Sequence, residues 1–537
     1  MVRRILQTVM SFRNATGVRA ALILVLTVAA YLPALGGGLT WDDSTLIIEN
    51  PMVRASDGLH RFWFTTEAPD YYPLTWSAWW LEWRLWGASP LGYHAVNILL
   101  HAANAVLVWL VLRRLKIPGA WLAGLVFALH PVNVAAVAWI SEQKSMLSMF
   151  FYLLAILLYV RFDEEERWRW YGLSLGAFLL ALFSKTSVVM LPVVLLGCAW
   201  WRHGRVRRKD LLCGLPFLAF SLGLGMTTVW FQYKALGESV QKNVFASRLA
   251  AAGWAPWFYL FKALLPLNLM VIYPKWHIDA SQWASYAPGL LLLGVLGVFW
   301  WARKTWGRPW LFGLGYFVVT LFPVLGFFDQ GFYRLSLVAD HWQYCSIIGV
   351  IALAAAAAER TLGRLGEQSR LWGTVVIVLL LGAATWERSY VYADAERLWG
   401  DNVVKNQGAW MAHYNLGVAL QHAGRMPEAM DQWEQTLQIE PDYVQAHYNL
   451  GLACAQAGRM PAAMAHWEQA LRIKPDFAAA HYNLSIGLER SGKLENAIDH
   501  LRKALDLANH QGNTGLANVV RARIQLDEGK LPPREKP

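Results

Sequence analysis

Hydrophobic and polar positions change character near residue 390 of this 537-residue chain. Before that point, apolar runs alternate with short polar loops. The runs fall near residues 18–35, 93–112, 120–140, 146–161, 170–183, 187–201, 211–231, 287–301, 309–327, 344–358 and 371–386. Their length and continuity predict helices that cross a bilayer. Residues 249–270 differ, because Pro256, Lys262, Pro266 and Asn268 interrupt the run. That pattern predicts an amphipathic interfacial or re-entrant helix rather than a clean span. After residue 390 the long apolar runs stop, and a strict sequence period replaces them.

The period is visible in four residues. His413-Tyr414-Asn415-Leu416 recurs as His447-Tyr448-Asn449-Leu450 and as His481-Tyr482-Asn483-Leu484, each copy 34 residues after the last. That is the period of the tetratricopeptide repeat, a helix-turn-helix unit that stacks into a solenoid. Gly417 and Gly451 follow the motif, with Ser485-Ile486-Gly487 as a variant. Gly424, Gly458 and Gly492 close each first helix, and Ala429, Ala463 and Ala497 sit where two helices touch. Pro441 and Pro475 end the second helix, which proline cannot continue. Residues 394–406 read as a degenerate leading helix and 509–526 as a capping helix. The expected fold is therefore all-α. A polytopic transmembrane bundle of about eleven spans plus an interfacial helix occupies residues 1–390, an α-solenoid of three clear repeats occupies 391–530, and 531–537 form a tail. Such an array serves as a scaffold or as a concave surface for an extended partner. In the second case Tyr414, Asn415, Tyr448, Asn449, Tyr482 and Asn483 are candidates for holding an acceptor protein or peptide.

Composition agrees with the membrane reading: 56% of residues are hydrophobic and 16% charged. The 30 Trp cluster near span ends, as interfacial anchors do. The net charge of +11 sits in separate short loops, so it reports topology and not a nucleic-acid footprint. Arg3, Arg4, Arg13 and Arg19, then Arg113, Arg114 and Lys116, then Arg161, Arg167 and Arg169, then residues 202–209, 303–308 and 360–370 mark the cytoplasmic loops. The loop 36–92 is then external, and so are the repeats if residues 249–270 do not cross. The first span reads as an uncleaved anchor. Lean loops suggest a bacterial inner membrane with periplasmic repeats, or an endoplasmic reticulum membrane in a eukaryote. The four cysteines show no metal-ligand spacing.

Polar residues at span edges are the candidates for chemistry. Trp41-Asp42-Asp43 opens the external loop. Two carboxylates there suit a general base or a divalent cation, and equally a helix cap. Tyr93, His94, Asn97, His101 and Asn104 open the second span, the last four on one helical stripe that serves a cavity or glues helices together. His130-Pro131, Ser141-Glu142-Gln143-Lys144, Ser184-Lys185-Thr186 and the segment holding Arg334, Asp340 and His341 fall on the same external side. Lys144, Lys185, Arg334 and His341 together present fixed positive donors for a lipid-linked phosphate. Individually they are also ordinary snorkelling residues.

In combination these motifs resemble the transmembrane and tetratricopeptide-repeat O-mannosyltransferases, the TMTC type, which have the GT-C glycosyltransferase fold. The resemblance rests on Thr40-Trp41-Asp42-Asp43, Tyr72-Pro73-Leu74-Thr75, Gly92-Tyr93-His94-Ala95-Val96-Asn97 with His101, Ala128-Leu129-His130-Pro131-Val132, Ala138-Trp139-Ile140-Ser141-Glu142, Ser184-Lys185-Thr186 and Val338-Ala339-Asp340. It implies transfer of a sugar, mannose above all, from a polyprenyl- or dolichyl-phosphate donor to a Ser/Thr hydroxyl of an acceptor protein. One carboxylate of Asp42-Asp43 would be the base. Lys185, Arg334, Lys144, His94 and His341 would hold the donor phosphate, with His130, Glu142, Asp340 and Tyr93 lining the pocket. Gln143 and His341 stand where the family commonly has arginine, so donor identity is less constrained than fold. Two other readings stay open: a non-catalytic scaffold anchored in the membrane, and a GT-C enzyme whose acceptor is a glycan or lipid. The sequence assigns no cofactor with certainty, and a divalent cation at Asp42 and Asp43 is compatible with it.

Overall fold

A computed structural model describes residues 16–236 and 245–530, and every regular element among them is helical. Arg3, Arg4, Arg13 and the 531–537 tail lie outside the described residues. The chain divides into two compact units between Leu398 and Trp399.

Among the described residues of the first unit, five helices are long and apolar enough to cross a membrane: Pro90–Arg114, Ile140–Glu165, Arg208–Ala235, Trp283–Lys304 and Glu367–Val391. Ala120–Ala128 and Pro131–Val137 make a sixth if the pair, bent by 47°, is one span. The other apolar runs are also helical but shorter, such as Thr16–Ala30, Trp168–Ser184, Leu191–His203 and Gly307–Leu321. These helices make the chain a multi-pass membrane protein. Trp283–Lys304 buries none of its apolar window within the protein, as a helix facing lipid does. Residues 249–270 contribute a helix from Phe245 to Leu264, outside the set apolar enough to span. Lys262 folds back on its C-terminal end and donates to the carbonyls of Leu267 and Asn268.

Pro90–Arg114 packs against Thr16–Ala30, Ala120–Ala128 and Gln143–Glu165. Its polar stripe is satisfied mainly by protein backbone. Asn97 Nδ2 reaches the carbonyls of Val137, Trp139 and Ile140 at 3.3–3.4 Å. His101 bridges the Ala128 carbonyl (3.0 Å) and the Tyr344 hydroxyl (2.8 Å), and Asn104 donates to the Met146 carbonyl at 2.9 Å. The stripe is therefore glue between helices. The amide oxygens of Asn97 and Asn104 stay buried without a partner among the described residues. His130 works similarly at the bend: Nε2 donates to the Ala263 carbonyl (3.0 Å) while Nδ1 accepts from the Val132 amide.

The second unit is a ladder of helix pairs: Trp410–His422 with Met426–Ile439, Val444–Gln456 with Met460–Ile473, and Ala478–Arg490 with Leu494–His510. The leading helix is Ala395–Lys405 and the last is Thr514–Glu528. Ala429, Ala463 and Ala497 are fully buried. A Cβ on Gly451 would lie 2.3 Å from the Trp467 indole nitrogen, and one on Gly417 would lie 2.4 Å from that of Trp433. The third repeat changes both partners, with Ser485 in place of glycine and Leu501 in place of tryptophan. The repeat thus conserves a volume across two helices rather than a residue at one position.

Each pair of helices is also clasped by the motif histidine. His447 Nδ1 lies 3.2 Å from His466 Nδ1, and His481 Nδ1 lies 2.8 Å from His500 Nδ1. The outer nitrogens of His447 and His481 donate to the Pro441 and Pro475 carbonyls. In the first repeat Gln432 replaces the second histidine, 2.8 Å from His413. Two facing nitrogens hold one hydrogen between them and not two. Burial lowers all four imidazoles, His500 to about 4, helped there by the His481 and Lys503 charges. Unfolded histidines titrate near ~6.5. The folded state therefore binds fewer protons below that pH, and stability present above it is lost as the pH falls toward the folded values. Hydrogen-exchange protection of the second and third repeats should drop on acidification to about pH 5, well below the free imidazole value, while the first repeat holds. His466→Gln with His500→Gln should reduce that loss.

Candidate functional site

The loop after the first helix is held from several sides. His94 Nε2 donates to the Gly38 carbonyl at 3.3 Å, and the Gly38 amide donates to the Ala393 carbonyl. Trp41 takes φ 50°, a left-handed conformation unfavourable for a bulky residue. Its indole stacks on Trp139, with centroids 5.0 Å apart and planes 5° from parallel. A short π-helical turn, Ser44–Ile48, follows. Strain and a π-turn of this kind recur at functional sites.

These constraints give Asp42 and Asp43 different environments. Asp43 is fully buried. Its Oδ2 accepts from the Thr40 amide (2.9 Å) and hydroxyl (3.2 Å), and its Oδ1 accepts from the Ser141 amide at 2.9 Å. Asp42 is half-buried. Both of its hydrogen bonds fall on Oδ1, from the Trp139 indole (3.0 Å) and the Ser141 hydroxyl (2.8 Å). Oδ2 is left without a hydrogen bond among the described residues. Asp43 is thus spent on structure, whereas Asp42 is aimed and keeps one oxygen open. Burial raises both carboxyls above the ordinary range. For Asp43 the neighbouring Asp42 charge adds to this and carries it to about 7, and for Asp42 the Lys144 charge opposes it.

Beside this pair, Glu142 sits between two lysines. Lys185 Nζ lies 3.0 Å from its Oε2 and Lys144 Nζ 3.3 Å from its Oε1, while the Ser145 hydroxyl donates to Oε2. Lys185 also donates to Ser145 Oγ at 2.8 Å. The turn carrying Lys185 is pinned by Thr75, which donates to the Ser184 carbonyl, and by Ser148, which donates to the Lys185 carbonyl. So Tyr72-Pro73-Leu74-Thr75 and Ser184-Lys185-Thr186, distant in sequence, form one joint. The three charges sum to one net positive charge. Burial lowers Lys185, and Glu142 opposes the shift.

His341 joins the cluster through its ring, 5.4 Å from Trp139 and 5.6 Å from Phe332. Burial takes its imidazole down to about 4, so it is neutral at physiological pH and offers one N–H rather than a cation. The other sequence candidates lie elsewhere. Arg334 is exposed and has no hydrogen bond or ion pair among the described residues. Tyr93 donates to the Gly87 carbonyl, His130 holds the bend, and Asp340 accepts from the Tyr273 hydroxyl at 2.8 Å. Among the described residues no three or more His, Cys, Asp or Glu gather as metal ligands.

In the repeats, Asn449 donates to the Tyr414 hydroxyl (3.4 Å) and Asn483 to the Tyr448 hydroxyl (3.0 Å). The motif tyrosines and asparagines thus tie one repeat to the next. Asn415 Nδ2, at the start of the array, has no hydrogen-bond partner among the described residues.

One site residue escaped the sequence reading. Asp70 accepts from the Trp76 indole at 2.8 Å and feels the charges of Lys144 and Lys185, which offset the rise caused by burial. A lone aspartate in a polar loop carries no spacing signal. Only its place beside Tyr72-Pro73 pointed there.

Residues 73–230 match the family described as dolichyl-phosphate-mannose-protein mannosyltransferase, and residues 422–458 and 451–485 match the TPR repeat. A Caenorhabditis elegans protein O-mannosyl-transferase is 25% identical over 455 residues, which is 80% of this chain and 64% of the relative. The human protein O-mannosyl-transferase TMTC3 is 24% identical over 476 residues, covering 78% of this chain and 51% of its own. Mouse TMTC2, another protein O-mannosyl-transferase, is 30% identical over 226 residues, covering 38% of this chain and 27% of its own. The chain thus spans less than two thirds of the length of these relatives. Among solved structures, the crystal structure of MamA is 24% identical, with a TM-score of 0.22, covering 26% of this chain and 81% of that one.

Glu142→Gln removes the carboxylate that pairs directly with both partly buried lysines. We expect a loss on the order of 3 kcal/mol in unfolding free energy, the cost of stranding a buried partner, read from thermal unfolding in detergent. Glu142→Asp should lose less.

Proposed function

We propose that this chain, a TMTC-type relative with the GT-C fold and a repeat array, is a membrane glycosyltransferase. It moves a sugar, mannose in the first instance, from a polyprenyl-phosphate carrier to a Ser/Thr hydroxyl of an acceptor protein. The transfer takes place on the non-cytoplasmic face, and the repeats bind the acceptor. The observation that carries the reading is the asymmetry of Asp42 and Asp43 beside the lysine pair. Asp42 has one oxygen anchored by Trp139 and Ser141 and one open. Lys144 and Lys185 are held by Glu142 next to it.

The chemistry follows from these roles. The acceptor hydroxyl attacks the anomeric carbon, its proton passes to Asp42 Oδ2, and the bond from that carbon to the carrier phosphate breaks. The carrier leaves as polyprenyl phosphate, with charge growing on the oxygen that the lysines face. Fixed cations in a site sheltered from water stabilise that charge without reorganising. A positioned base contributes about 10²–10⁴-fold. Asp43, Thr40 and Ser141 keep the base aimed, and Asp70 screens the lysines without neutralising them. The likeness to mannosyltransferases supports mannose, the basic loops support an external site, and the lean loops support a bacterial inner membrane, with the endoplasmic reticulum membrane as its eukaryotic equivalent.

Transfer from radiolabelled polyprenyl-phosphate mannose to a Ser/Thr-rich peptide pool tests this reading. Asp42→Asn should lower transfer by about 10²-fold or more while donor binding and melting temperature stay near wild type. Asp43→Asn should instead lower stability. Because the base works ionised and the pair titrates together, wild-type transfer should rise with pH through an acid limb near neutrality, where burial places Asp43 at about 7. Full transfer by Asp42→Asn would remove the base assignment.

A further inference from the structure

A second buried acid lies one helix away and takes no part in the chemistry above. Glu82, on the helix Pro73–Trp86, is 6% exposed, and Gln143, which opens the helix Gln143–Glu165, is 1% exposed. Gln143 Nε2 donates to Glu82 Oε1. The two remaining oxygens, Glu82 Oε2 and Gln143 Oε1, are sealed from solvent, and neither has a hydrogen-bond partner among the described residues. Both are acceptors, so neither can serve the other as drawn.

No counter-ion faces the carboxyl from the elements packed around it. Arg54 donates to the Ile48 carbonyl, and Arg61 is paired with Glu67. Arg84 lies 3.4 Å over the Trp80 ring and donates to the carbonyls of Val53 and Ala55. Lys144 and Lys185 are engaged by Glu142. Tyr93 is a titratable neighbour, and its hydroxyl donates to the Gly87 carbonyl. Trp79 and Trp83 flank it on its own helix, and the Trp79 indole nitrogen is itself a buried donor without a partner among the described residues. A carboxylate here would be a buried charge with one bare oxygen beside a bare carbonyl. A single added hydrogen repairs all three faults.

We propose that Glu82 is held as a neutral carboxylic acid whose Oε2–H donates to Gln143 Oε1, closing an acid–amide ring that positions the start of the helix carrying Lys144. Glu142 immediately precedes Gln143, so the ring sets the turn from which the lysine pair is held. Burial carries the Glu82 carboxyl to about 8, so the ring is closed at neutral pH and opens above it. Protonation stands on the geometry alone, whereas the positioning role rests on reading the lysines as the donor-phosphate site.

Infrared difference spectra of the full chain in nanodiscs decide the first part. Wild type at neutral pH should show a protonated-carboxyl stretch that Glu82→Gln removes and that fades as pH rises through about 8. Glu82→Gln should fold, since an amide pair retains both bonds of the ring. A spectrum with no such stretch, or one unchanged by Glu82→Gln, overturns the neutral acid. Binding of polyprenyl phosphate, without sugar, tests positioning. Wild-type affinity should fall several-fold as pH rises through the same point, and Glu82→Gln should be spared. An equal fall in both overturns positioning and leaves the infrared result standing. Failure of wild type to bind polyprenyl phosphate at any pH overturns the donor site itself, and loss of binding in Glu82→Gln alone overturns positioning by the ring.

Discussion

The membrane unit is organised around one buried carboxylate. Glu142 compensates Lys144 and Lys185, and each lysine arrives on a different stretch of chain. Without that acid, the two cations would repel one another where little solvent can screen them. Its own placement depends on neighbours in sequence. Asn97 gathers the carbonyls of Val137, Trp139 and Ile140, and Ser141 holds both Asp42 and Asp43. The segment from Trp139 to Ser145 is therefore a hub. It receives an amide from one helix and carboxylates from the loop after the first helix, and it supplies the acid that fixes the cations. Its residues are short-range partners of almost everything else in the candidate site.

Placement explains why some of this was legible in sequence and some was not. The repeats were readable because their contacts recur: Gly451 beneath Trp467 has the same cause as Gly417 beneath Trp433, so one register exposes both. The joint between Thr75 and Ser184 surfaced only as two motifs, since hydrogen bonds across 109 positions leave no local period. The polar stripe on Pro90–Arg114 was visible as a stripe, but its partners are backbone carbonyls, which carry no sequence signature. Charge was the least legible property. His341 and Arg334 look like cations on paper, yet one is buried into neutrality and the other is exposed to solvent. Conversely Gln143, which reads as a lost arginine, faces an acid that needs no counter-ion once it is neutral.

The two units solve the burial of polar groups in opposite ways. In the membrane unit, polar side chains reach across long sequence distances to satisfy single, unrepeated carbonyls. In the repeat unit, the same kind of bond is made again in every register, tyrosine to asparagine and histidine to the next helix. A substitution in the first unit therefore breaks a contact that no other part of the chain duplicates. In the second it removes one of several equivalent contacts, as Leu501 and Ser485 already show.

The tyrosine–asparagine ladder has a further consequence. Every bond it makes joins a residue to one 35 positions later, and the open ends, Asn415 and Tyr482, are of the same kind as the bonded members. A duplicated 34-residue segment would meet its neighbours through interfaces the chain already possesses. Gene duplication can thus lengthen the reach of the array in whole steps without inventing a new surface. The membrane unit, with its hub of unrepeated contacts, admits no such addition, so evolutionary change in size should be tolerated in the repeats long before it is tolerated in the bundle.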